Sequence, residues 1–149
     1  MRRSLTFSIA SAMLAVSVSA QRAPQGGVRT LANVLQLHEL LISPASDAVF
    51  NASTDPPTDD KGWTAARNQA LVLAESSNLL MVGSRVRDIF IQLALKMSRA
   101  LVDAAALAAS AAEKKDAMAL ESAADAITVA CMDCHRPYRD GGRQMGAPK

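Results

Sequence analysis

Apolar residues recur at spacings of three and four along most of the chain, the pattern of helices that each bury one face. Leu31, Val34, Leu35, His38, Leu41 and Ile42 form such a stripe over residues 29–42. Ser43-Pro44 follows, and because proline suits the first turn of a helix, a kinked continuation to Phe50 is expected. Residues 51–62, with Asp55-Pro56-Pro57 at their centre, read as a loop. A second helix is predicted from Trp63 to Met81, with Trp63, Ala66, Ala70, Leu73 and Leu80 on one face and Gly83 ending it. Between Arg85 and Arg136 there is neither Gly nor Pro. One helix of that length would span roughly 75 Å, too long for a compact domain of this size. The stripe lapses over residues 110–116, where Asp116 suits an N-cap, so the stretch divides there. The third helix then covers residues 86–109, with Phe90, Leu93, Met97, Leu101 and Ala104 inward. The fourth covers residues 117–135, with Leu120, Ala124, Ile127, Cys131 and Cys134 inward. Alanine, the strongest helix former, crowds residues 100–130. Alternating strand patterns are absent, so the expected fold is all-α, an antiparallel four-helix bundle over residues 29–138.

The first 20 residues follow another pattern. Arg2 and Arg3 precede an apolar stretch from Leu5 to Val18 that only Ser and Thr interrupt. Val18-Ser19-Ala20 then offers the small residues a signal peptidase reads, so residues 1–20 are expected to be a signal peptide cleaved after about Ala20. Residues 21–28, with Pro24-Gln25-Gly26-Gly27, read as a linker, and residues 139–149 as a flexible tail. The expected location is the periplasm, with no membrane anchor after cleavage. Removing Arg2 and Arg3 from 16 basic side chains leaves 14, matching the 14 acidic ones, so the mature chain has no formal net charge. A basic surface for nucleic acid therefore has no support, and no strong field steers a redox partner.

Of the 149 residues, 50% are hydrophobic, enough for one folded domain and against disorder. Only 3% are aromatic, which suggests that something other than Phe, Tyr and Trp fills the middle. Cys131-Met132-Asp133-Cys134-His135 supplies a candidate. C-x-x-C-H is the attachment signature of c-type haem. Cysteines three apart on a helix share one face, so both thiols can reach the two vinyl groups on one porphyrin edge, while the adjacent imidazole ligates iron. A thioredoxin-like dithiol would need a βαβ context that the chain lacks. A structural zinc site would need four ligands, and only His38 remains to join these three.

An exported four-helix bundle with C-x-x-C-H near its C-terminus resembles the class II cytochromes c, which include cytochrome c′. His135-Arg136-Pro137-Tyr138-Arg139 is similar to that family's placing of an aromatic and a basic residue just beyond the haem histidine. The resemblance implies that Arg139 lies near the haem, where its guanidinium would pair with a propionate. The plainer alternative is a solvated tail residue. Pro44-Ala45-Ser46-Asp47 resembles the relatives that carry a low-spin haem. Dimers are common in the family, so a homodimer is compatible with the resemblance.

Family members differ at the second axial position. Cytochrome c′ leaves it open, while low-spin relatives offer a Met from the first helix. Here the first helix carries His38, which continues the apolar stripe and should point inward. A buried imidazole needs a partner, and iron would serve. The alternatives are a His that reaches water or bonds within the core, with Met81, Met97 and Met118 as rival ligands. Glu39 lies about 100° round the helix and reads as a surface charge. The leading expectation is an electron-carrying cytochrome with one covalent haem c, exchanging single electrons with protein partners and altering no substrate, so not an enzyme. The alternatives are a gas-binding haem protein with an open distal side, or a peroxidase using His38 as distal acid–base.

Overall fold

The structure, a computed structural model, describes residues 29–82 and 91–137, and all regular elements in them are helical. Helix α1 is composite. It opens as an α-helix over Val34–Leu37, widens to a π-helical turn over His38–Ile42, and resumes as an α-helix over Ser43–Thr54. Helices α2 (Asp60–Leu79), α3 (Ile91–Glu113) and α4 (Ala117–His135) follow. Each packs on the next and α4 returns to α1, which closes a four-helix bundle. No described helix is long and apolar enough to cross a membrane. The signal, linker and tail assigned to residues 1–20, 21–28 and 139–149 lie outside the described residues, as do Gly83 and Phe90.

The first helix begins later than the apolar stripe suggests. Asn33 caps it reciprocally: its side chain accepts from the Gln36 N–H at 2.8 Å, and its own N–H donates to Gln36 Oε1 at 3.0 Å. Leu31 and Leu35 are exposed at 82% and 65%, and the buried positions are Leu37, Ile42, Ala45, Ser46 and Val49. Of the expected stripe only Ile42 is buried and His38 half-buried, while Leu31, Val34, Leu35 and Leu41 are exposed, so the expected inward face is corrected. The π turn explains part of the shift, because a wider turn changes which residues face inward. Pro44 explains the π turn. It has no N–H to donate to a carbonyl four residues back, and its ring crowds that carbonyl, so the helix opens. The Ser43 N–H instead reaches back five residues to the His38 carbonyl.

The expected loop over residues 51–62 is shorter at both ends. Hydroxyls of Ser53 and Thr54 donate to the Phe50 carbonyl and extend α1. At the other end the Asp59 carboxylate accepts from the Gly62 N–H at 2.7 Å and starts α2 early. Glycine is needed there, since a Cβ would stand 2.7 Å from Pro57 Cβ. The α2 face is as expected, with Trp63, Ala66, Ala70 and Leu73 buried and Leu80 packed against the core. On α3, Leu101 and Ala104 are buried, but Leu93 is 37% exposed, so the inward face excludes it.

The division between the last two helices falls within residues 114–116, and no glycine makes it. Lys115 takes a left-handed conformation, φ 55°. Its N–H bonds the Ala112 carbonyl at 3.1 Å, and the Asp116 N–H bonds that of Ala111 at 3.0 Å, a Schellman termination. Asp116 then caps α4 by accepting from the Ala119 N–H at 3.0 Å, as the sequence predicts. The Lys115 ammonium donates to the Asp60 carboxylate at 2.7 Å, tying the turn to the start of α2. That hydrogen bond, with the attraction of opposite charges, holds the exposed Asp60 carboxyl below its ordinary range.

More than half of the buried apolar side chains are alanines, concentrated on α2, α3 and α4. Small side chains let helix axes approach closely, so the shortage of aromatics is met largely by tight packing rather than by large groups. The sequence-based suggestion that something else must fill the middle is therefore weakened. The largest fully buried side chains are Ile42, Leu73, Leu120 and Ile127. Ile42 belongs to α1, which carries His38, and Ile127 to α4, which carries Cys131, Cys134 and His135.

Candidate functional site

The last turns of α4 carry Cys131, Cys134 and His135, all half-buried, while Met132 and Asp133 between them are exposed. The helix therefore presents both thiols on one side. One turn earlier Ile127 is fully buried, and Cys131 packs against the core cluster that includes it. Burial pushes the Cys131 thiol above its ordinary range, with a smaller push from Cys134. Burial also raises Cys134. In the haem-free chain both should alkylate with iodoacetamide more slowly than free cysteine near neutral pH. The rate should climb as pH rises through the raised values, because the thiolate is the nucleophile. A rate equal to that of free cysteine would contradict this burial.

The chain's two histidines come from opposite ends of the described sequence and meet here. The His38 and His135 rings have centroids 5.6 Å apart and planes inclined at 45°. The packing of α4 against α1 produces this meeting. Ser43 Oγ lies 2.9 Å from His38 Nδ1, so one ring nitrogen has its hydrogen bond within the protein and Nε2 is the candidate ligand atom. Sequence reasoning missed Ser43. The signal was Pro44, whose effect on the helix brings residues five apart together. Glu39 is exposed, as expected of a surface charge.

Several features bear on whether these residues suit a haem. Two imidazoles bound to opposite sides of one ion, each nitrogen about 2 Å from it, stand with centroids roughly 6 Å apart. The 5.6 Å between His38 and His135 is close to that span. Val34, Leu35 and Leu41, which flank His38 along α1, are 48%, 65% and 36% exposed, and Met132 is 52% exposed. An apolar macrocycle lying against them would remove that surface from water. Among the described residues no three His, Cys, Asp or Glu side chains converge as a cluster that could hold a metal ion. A zinc site needs such convergence. A haem does not, because the two cysteine sulfurs would join the rim of the macrocycle rather than the metal.

Of the other residues named from sequence, Arg139 and Tyr138 lie outside the described residues. Met118 is 80% exposed and sits in the first turn of α4, roughly 25 Å along the helix from His135, which removes it as a rival ligand. Met81 and Met97 are half-buried. No family model matches the chain, and neither does any curated protein or solved structure.

Proposed function

We propose that the chain is an exported c-type cytochrome that carries single electrons in the periplasm, an antiparallel bundle enclosing one covalent haem. Cys131 and Cys134 would hold the haem through thioethers, and His135 and His38 would ligate its iron. The observation that carries this reading is the meeting of the only two histidines, 5.6 Å between ring centroids, beside a C-x-x-C-H segment. When bound, haem supplies a one-electron ferric–ferrous couple. The chain's residues supply the rest. Each thiol would add across a vinyl group, its sulfur bonding one carbon and its hydrogen going to the other. Cys131 and Cys134, one turn apart, fix the edge of the macrocycle to α4. Ile42 and Ile127, buried in the core along the same two helices, would keep water from the protein side of the site. Arg139 would offer a guanidinium to a propionate. With His38 as a second ligand the iron would have no open position, which favours electron transfer over gas binding.

The test is an absorption spectrum of the haem-loaded protein, ferric and then ferrous, with and without carbon monoxide. Low-spin bands that carbon monoxide leaves nearly unchanged are expected. High-spin bands and ready carbon monoxide binding would replace the electron carrier by a gas-binding protein with an open distal side. Absence of covalent haem after maturation would overturn both.

A further inference from the structure

We propose that Ser43 is the positioning residue for the His38 ligand and that the π turn over His38–Ile42 exists to bring the two together. This rests on the reading of His38 as an axial ligand. In a regular α-helix, residues five apart point about 140° away from each other and their side chains do not meet. Here they do. The Ser43 N–H bonds the His38 carbonyl across the π turn, and the Ser43 hydroxyl lies 2.9 Å from His38 Nδ1. One residue thus grips both the backbone and the ring of the other. Ser43 is itself held. The Ser46 hydroxyl, 7% exposed as a residue, donates to the Ser43 carbonyl at 2.9 Å. Pro44 ensures that the helix does not revert to α-helical pairing at this point, since it has no N–H to offer.

The clamp has a chemical consequence. A neutral imidazole carries one proton on two nitrogens, and a metal takes the nitrogen without it. With the proton on Nδ1, the ring donates to Ser43 Oγ and Nε2 keeps its lone pair for the metal. Hydrogen bonding of the non-ligating nitrogen is the usual way a protein fixes both tautomer and ring orientation at a metal site. The same bond restrains rotation of the ring, holding it in the facing arrangement with His135.

Two measurements test this. In the haem-free protein, nitrogen-resolved NMR of the neutral His38 imidazole should show the proton mainly on Nδ1. In Ser43→Ala it should move mainly to Nε2, the form imidazole prefers in water. A wild-type ring already protonated on Nε2 would overturn the proposal, whatever the haem does. In the loaded protein, Ser43→Ala should loosen the sixth ligand and raise carbon monoxide affinity by about tenfold or more, the usual cost of a lost outer partner. Ser43→Thr keeps the hydroxyl and should restore both readouts, which a purely structural role of the serine would not require. Unchanged affinity in Ser43→Ala, beside a low-spin wild type, would overturn the positioning role and leave the cytochrome reading intact. A high-spin wild type would instead overturn the ligand assignment on which the proposal stands.

Discussion

Replacing both Cys131 and Cys134 by serine should abolish covalent haem attachment altogether. Matured in a host that assembles c-type cytochromes, the wild-type chain should keep its haem through denaturing electrophoresis and gain the mass of one haem. The double variant should do neither. Serine nearly matches cysteine in shape, so the variant tests the chemistry of sulfur rather than the packing of α4. The thiols are half-buried at the rim of the core, and the fully buried Ile127 and Leu120 lie further back along the helix. Helical circular dichroism of the double variant should therefore persist. Thermal stability should fall towards that of the haem-free chain, because the ligation and packing contacts of the haem, made only in the folded state, no longer contribute. Either single variant should retain one thioether and a weaker haem stain. Covalent haem in the double variant would sink the assignment of both cysteines.

Most of the fold is legible in the sequence, because a period of three to four is a local property. The start of α4 is the clearest case: Asp116 caps where the apolar stripe restarts, and the helix runs from Ala117 to His135 as expected. Where local chemistry competed with the stripe, the reading failed. Asn33 and Gln36 form a reciprocal cap that starts α1 after Leu31, and no periodicity count weighs such a cap against a hydrophobic run. Asp59, by its side chain alone, caps α2 and starts it ahead of Trp63. The third helix reaches Glu113, beyond Ala109, because Ala111 and Ala112 are buried although an alanine adds little to a hydrophobic pattern. The candidate site divides in the same way. C-x-x-C-H is contiguous and therefore visible. The approach of His38 to His135 depends on how α1 packs on α4, and the role of Ser43 depends on a π turn. Pro44 announces a disturbance there without fixing its kind.

His38→Ala should have the second large effect, and it separates the electron carrier from its rivals. Half-buried, its ring centroid 5.6 Å from that of His135 and hydrogen-bonded to Ser43, His38 is the side chain proposed to meet iron opposite His135. Alanine at this position leaves nothing to reach across, so the ferric and ferrous spectra should turn high-spin and carbon monoxide should bind readily. The wild type should resist it. His38→Met offers a second, independent readout. A thioether opposite histidine raises the potential relative to two imidazoles, so the midpoint should rise by on the order of 0.1 V within the roughly 0.8 V that haem axial ligands span. A variant that simply misfolded would lose haem or helicity without giving that ordered pair of results. The peroxidase reading makes the opposite forecast. If His38 acts as a distal acid–base above an open iron, wild-type protein should react rapidly with hydrogen peroxide and His38→Ala should lose that reactivity. Under axial ligation the wild type should be nearly inert to peroxide, and opening the site should make His38→Ala the more reactive of the two.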